Sequence, residues 1–197
     1  LLPAVQAARE SARQTQCANN IKQLALGGIS HETHHGYFPH GGWGYKCVGL
    51  PDKGFGPEQP GGWIYNVLPY IEQEPLRKLS GNGSLQAQLR ALVETPLKTI
   101  NCPSRRATRT YPVGADIIQP YWSEKPRFVA KTDYAMTLGH SHIDDPGPSD
   151  MNSMPSVRNM EGMVGRAFVV RAELVRHGLS NTYLLGEKYV WADWYTT

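Results

Sequence analysis

Residues 1–26 carry apolar side chains at helical spacing. Leu1, Val5, Ala8 and Ala12 fall at steps of four, three and four, and Ile21 and Leu24 resume the stripe. Arg9, Glu10, Arg13, Gln14 and Lys22 supply a polar face, and Pro3 suits a first turn, where a missing N–H costs no helical bond. The pattern predicts a helix from Leu1 to Leu26, about seven turns at 3.6 residues each. Gly27-Gly28 is its expected stop, because glycine tolerates the left-handed conformation of a C-terminal cap. With no capping residue ahead of Leu1-Leu2, the segment reads as the C-terminal half of a longer helix that starts upstream.

Beyond that helix the period is lost. From His31 to Gly62 the chain is rich in glycine, proline and aromatic residues, a composition that predicts an ordered loop anchored by Tyr37, Phe38, Trp43, Tyr45 and Phe55. A short helix is expected over Trp63–Ile71, and a clearer one over Ser84–Glu94, with Ser84 as N-cap and Leu85, Leu89, Leu92 and Val93 on one face. Short strands are expected at Leu97–Cys102, Phe128–Met136, Ala167–Val175 and Thr182–Trp191, with an exposed excursion between Leu138 and Glu161. The outline is α+β: a long N-terminal helix (1–28) packed on a small antiparallel sheet in a loop-rich head (29–197), one domain overall.

Composition narrows this picture. In 197 residues, 20 glycines and 15 prolines confirm the weight of loops, while 40% hydrophobic residues suffice for one core. A net charge of +3 predicts no nucleic-acid partner. The absence of any run of roughly 18 apolar residues leaves membrane contact only to an apolar helix upstream. Cys17, Cys47 and Cys102 lack the short spacings of zinc or redox pairs. One disulfide and one free thiol suit an exported chain, three thiols a chain that is not exported; Cys17 with Cys102 is the candidate pair, and spacing does not choose among the pairings.

LLPAVQAARESARQTQCANNIKQLALG, HGYFPHGGWGY, QPGGWIYNVLPYIEQ, TPLKTINCPSRR, KTDYAM and LSNTYLLGEKY occur in that order along the chain. With these motifs the sequence resembles a large secreted family best represented in planctomycete bacteria, in which a prepilin-type leader and a hydrophobic helix precede the LLPAVQAARE-like segment. The resemblance implies a type IV pilin-like or pseudopilin-like fold, export to the cell surface or beyond, and self-association into a homo-oligomer or filament. The assembly helix would use Leu1, Leu2, Val5, Ala8, Ala12, Ile21 and Leu24. One departure is His177-Gly178, where the family usually has Asp-Gly before the Ser-Asn-Thr turn.

Other residue clusters suggest chemistry of their own. His31, His34, His35 and His40 crowd beside Glu32; His31, His35 and His40 are the metal candidates, and a metal-dependent enzyme built on them is the enzymatic alternative to a non-enzymatic protein. Asp144 and Asp145, with His140, His142 and Asp150, form an oxygen-rich loop that could take calcium; no other cofactor is expected. Trp43, Trp63 and Tyr65, with Tyr121 and Trp122, could stack on sugar rings, which makes an anchored glycan- or solute-binding module the alternative function. Ser104 or Ser180 with His177 and Asp133 offers the residues of a nucleophilic triad without its sequence context. Glu72, Glu74 and Glu187 could supply a carboxylate pair, and Arg105, Arg106 and Arg109 a basic patch that reads as a solvated face.

Overall fold

A computed structural model describes residues 2–113, 119–139, 145–157 and 161–190. Its dominant element is α1 (Leu2–His35), 34 residues and so about 50 Å long at 1.5 Å per residue. The helix does not stop at Gly27-Gly28, as the glycine pair suggested, but runs on to His35. Both glycines lie on the buried side: a Cβ on Gly27 would sit in ordinary contact 3.4 Å from Ile71 and one on Gly28 more tightly, 3.2 Å from Leu184. The stop is Gly36, at φ +77°, whose N–H bonds to the Glu32 carbonyl at 2.7 Å.

Burial divides α1 into two halves. Residues 3–16 are exposed except for half-buried Glu10 and Arg13, whereas Cys17, Asn20, Leu24, Gly27, Gly28 and His31 form a buried line at steps of three and four. That line meets α2 (Trp63–Val67), the 3-10 turns Leu68–Ile71 and Lys98–Ile100, and strand β4 (Leu185–Glu187). Leu24 is packed among Val67, Leu68, Ile100, Tyr134, Met136 and Leu185. A satellite cluster gathers Leu89 of α4 (Leu85–Glu94) with Val48, Leu50 and Leu79. Ser84 caps α4 as its sequence suggested, accepting from Ala87 N–H at 3.3 Å.

The expected sheet is smaller than its sequence pattern. Among the described residues there are two antiparallel two-stranded ladders: β1 (Tyr111–Pro112) with β2 (Phe128–Val129), and β3 (Tyr134–Met136) with β4, in register Tyr134↔Glu187 and Met136↔Leu185. Leu97–Cys102 folds around a 3-10 turn rather than a strand. Phe128–Met136 breaks between β2 and β3 where Ala130 N–H turns away to the Val93 carbonyl and Thr132 Oγ1 accepts from Tyr134 N–H. Ala167–Val175 keeps only a bridge at Gly165↔Phe168 and a 3-10 turn at Ala172–Leu174. Its backbone serves the long loop instead, the Val170 carbonyl accepting from Phe38 N–H and Ala167 N–H donating to the Gly42 carbonyl. Thr182–Trp191 contributes β4, and Trp191 lies outside the described residues. The segment Trp63–Ile71 is one turn of α-helix followed by the 3-10 turn, with Pro69 near the join.

The glycine-rich loop is ordered because it closes over a ring. A Cβ on Gly49 would lie 2.3 Å from the Tyr65 ring, and one on Gly61 2.6 Å from Gly49 Cα, so only glycine lets these two backbones pack against Tyr65. Gly49→Ala is therefore expected to cost roughly 1–3 kcal/mol through overpacking, read as a lower denaturation midpoint. Gly81→Ala, where nothing lies within 4 Å, is the comparison that stays near wild type.

Candidate functional site

The seam where α1 enters the head is built by side chains from four segments. Cys17, the first buried residue of the helix, is disulfide-bonded to Cys102. One turn on, Asn20 Nδ2 donates to the Lys98 and Asn101 carbonyls (3.2 and 2.8 Å) and lies 3.4 Å from Tyr134 Oη, while Asn20 Oδ1 accepts from Gln16 Nε2. Tyr134 Oη in turn donates to the Cys17 carbonyl. Behind the disulfide, Asp133 is fully buried. Its carboxylate accepts from Cys102 N–H (2.8 Å) and Arg106 Nε (2.9 Å), with Arg106 Nη2 also bound to it. Arg105 donates to Glu187 (2.9 Å) and to the Lys188 carbonyl. The disulfide, Arg105, Arg106, Asp133 and Tyr134 thus join α1, the loop after Ile100, β3 and β4 in one layer.

This layer dismantles several readings drawn from residue presence. Asp133 is committed to Arg106, Cys102 and Asn101, so it is not the acid of a Ser-His triad. The basic patch dissolves: Arg106 is paired with Asp133, Arg105 with Glu187, and Arg109 stacks over Tyr111 at 5.2 Å. Glu74 pairs with Lys78 and Glu187 with Arg105, which occupies two of the three carboxylates considered for an acid pair.

The stacking candidates are mostly enclosed. Trp43 is 2% exposed with Nε1 donating to the Pro57 carbonyl at 2.8 Å. Tyr65 is 6% exposed beneath Gly49 and Gly61, with its hydroxyl on the Arg77 carbonyl. Neither offers an open ring face to a sugar. Trp63 is half-buried against the main core, and Trp122 donates to the Ser149 carbonyl and meets Trp43 edge-on.

Because α1 continues to its end at His35, His31 and His35 do share a face, with ring centroids 4.6 Å apart. One ring nitrogen of each of His31, His35 and His40 is engaged, while the Nε2 atoms of His31 and His40 are buried without a hydrogen-bond partner among the described residues. His31 Nδ1 donates to the Tyr37 carbonyl (2.9 Å), His35 Nε2 meets the Tyr70 hydroxyl (3.1 Å), and His40 Nδ1 accepts from Gly42 N–H (3.0 Å). A neutral His40 that accepts at Nδ1 keeps its proton on Nε2 and has no lone pair for a metal there. His34 donates to the Ser30 carbonyl. Among the described residues, the group of metal-capable side chains with ligand atoms within 4.8 Å of one another is Cys17, Cys102 and Glu187, and its two sulfurs are already bonded to each other. Asp145 pairs with Arg166 and accepts from Gly147 N–H, and Asp150 closes a turn on Asn152 and Ser153. Asp144, His140 and His142 lie outside the described residues.

The residues assigned to an assembly helix separate along the two halves of α1. Val5, Ala8 and Ala12 are exposed; Ile21 is half-buried and Leu24 fully buried in the core, so these last two serve the head. Leu1 and the side chain of Leu2 lie outside what is described. Sequence periodicity missed Leu26 and Ile29, which are 53% and 49% exposed on the outer side of the docked half. Their signal was present as two large apolar residues off the stripe of Ile21 and Leu24. Cys47 keeps a free thiol, which burial pushes up to about 12 and so holds protonated and unreactive. No helix among the described residues is long and apolar enough to cross a membrane.

These features define a small α+β head gripping the second half of a long helix. The chain belongs to a family described as a protein of unknown function (DUF1559), whose profile matches residues 6–197. Comparison with curated proteins and with solved structures finds no match.

Two outcomes are expected at this layer and its neighbour. Asp133→Ala strands the Arg106 guanidinium without its partner, a loss of roughly 3–5 kcal/mol for a broken buried pair, whereas Ser104→Ala stays within about 0.5 kcal/mol; urea denaturation measures both. Burial holds His31 and His40 neutral, bringing each from 6.5 down to about 4. His35, His40 and Arg77 around His31 add to the shift. The unfolded chain takes up protons near 6.5 and the folded chain only near 4, so stability is complete above 6.5 and declines as the pH falls. The expected loss between pH 6.5 and 5 is about 2 kcal/mol per histidine, and a flat stability profile over that interval would refute it.

Proposed function

We propose that this protein is an exported, pilin-like structural subunit that assembles through α1. The observation that carries the reading is the free half of the helix. Residues 3–16 hold helical geometry with little cover from the head, Glu10 meeting Ser104 at its margin, although an isolated helix of that length is marginal in water. At about 100° per residue, exposed Val5, Ala8, Ala12, Leu26 and Ile29 fall within an arc of about 120°. The centre of that arc lies about 150° from the docked line of Cys17, Asn20, Leu24 and His31. The outer side therefore carries apolar side chains at both ends, Val5, Ala8 and Ala12 in one half and Leu26 and Ile29 in the other, with Thr15, Asn19, Lys22 and Gln23 between them, and it is a mixed surface for helix-to-helix contact with other copies. The Cys17–Cys102 disulfide supports export, since such bonds persist in oxidising compartments. The motif resemblance to prepilin-type proteins points the same way.

Negative-stain electron microscopy of native protein sheared from its source cells, identified by peptide mass, tests this reading. Regular filaments are expected. Ala8→Glu and Leu26→Glu should abolish them while leaving the thermal midpoint of the head unchanged, because both positions are exposed. Dispersed particles at every salt and calcium condition would overturn assembly. They would favour a second reading, a solute- or glycan-binding module anchored by the helix. That reading has one observation of its own: a cleft of about 820 Å³ floored by Met163, Phe168, Val170 and Leu174, with Tyr183 at its edge.

A further inference from the structure

The disulfide sits where the helix changes character. On its N-terminal side α1 is largely exposed, touching the head at Glu10 and Gln14, and from Cys17 onward it is docked. Everything between Cys17 and Cys102, a sequence separation of 85, lies inside the covalent loop, including the docked half of α1 and α2, α3 (Glu74–Arg77) and α4. We infer that Cys17–Cys102 is a mechanical clamp, which passes tension arriving along the free half of α1 directly to Cys102 and keeps it out of the segment 18–101. The inference rests on the proposal that the molecule is held in its assembly by α1.

Two features of the surroundings fit that role. The docked half of α1 is held by buried side chains four and seven residues apart, Asn20, Leu24 and His31. Loaded from one end, such a row yields one contact at a time, and each unravelled turn exposes the next. A covalent bond at the first docked residue removes that sequence of failures. The second feature is what lies beyond the bond. Cys102 N–H is fixed on Asp133, Arg106 is fixed on the same carboxylate, and Arg105 grips Glu187 and the Lys188 carbonyl. Asp133 adjoins β3 and Glu187 ends β4. Tension leaving Cys102 therefore spreads at once into the β3–β4 ladder. The bond is also guarded: Cys17 and Cys102 are 3% and 2% exposed, and a Glu187 carboxylate oxygen lies within 4.8 Å of both sulfurs. An attacking thiolate meets steric closure, while the Glu187 charge is compensated by Arg105.

Single-molecule force spectroscopy on the full chain, tethered by short peptide tags at its two ends, reads the clamp directly. With the bond intact, the released contour length excludes the enclosed loop. The Cys17→Ala/Cys102→Ala variant should release about 300 Å more, at up to 3.6 Å per residue, and should yield first at a lower force. Equal first-yield forces, or equal contour lengths, would overturn the inference. Hydrogen exchange at zero load separates a clamp from a folding staple. In the variant, and in wild type reduced after folding, amides 18–35 should lose no more protection than those of the β3–β4 ladder, as a uniform drop in global stability requires; an extra loss confined to 18–35 would make the bond a local staple and refute the clamp. The pulling result stands or falls apart from filament imaging, so failure of assembly and failure of the clamp are distinguishable.

Discussion

The rest of the structure depends on the docking of one helix face. Cys17, Asn20, Leu24, Gly27, Gly28 and His31 present, in that order, a bond, an amide, a leucine, two bare backbones and an imidazole to the head. Each feature matches what it meets. Where the 3-10 turns of the head come closest the helix has glycine, where two loop carbonyls need a donor it has Asn20, and where the apolar core is deepest it has Leu24. The ladders are two and three residues long, too short to hold a sheet together by themselves. The helix packs against β4 of one ladder and α4 against β2 of the other, and Gly27 and Gly28 face Val67, Ile71 and Leu184 across the docked side of the helix.

The polar layer behind the disulfide explains why residues with chemical promise turn out to be structural. A buried carboxylate is costly unless paired and hydrogen-bonded, and Asp133 meets that demand with Arg106 and two groups of the Cys102 segment. The motif NCPSRR supplies the disulfide sulfur and both arginines of this layer, KTDYAM supplies Asp133 and Tyr134, and LLGEKY supplies Glu187. Motifs far apart in the chain are thus parts of one joint. The glycine-rich loop follows the same logic: Gly49 and Gly61 close over Tyr65 of α2 and Trp43 is buried, while Tyr45, expected as an anchor, is exposed.

At the far end of α1 the histidines form an aromatic and cationic box with Tyr37, Phe55, Tyr70 and Arg77, whose guanidinium lies 3.7 Å over the Phe55 ring. Arg77 also donates to the Gly54 carbonyl at 2.7 Å. The box ties the last turn of the helix to the loop that follows Gly36. It makes both ends of the docked half specific, one by a covalent bond and one by close-packed rings. Between them the helix is a rigid post, and its outer face is left to whatever lies outside the molecule.

Period and punctuation in the sequence determined the elements whose signals are local. The long N-terminal helix, α4 with its Ser84 cap, the abundance of loops and the α+β class all follow from spacing, capping and composition within a few turns of chain. Only the tertiary structure decided the rest, because its causes are contacts between distant residues. Whether Gly27-Gly28 ends a helix or admits Ile71 and Leu184 depends on what stands opposite. Whether Asp133 is a catalytic acid or an ion-pair partner depends on Arg106 and on where Cys102 is held. Whether Leu24 and Leu26 serve a core or an outer surface depends on which side of the helix the head covers, and a stripe of apolar residues carries no label for its partner.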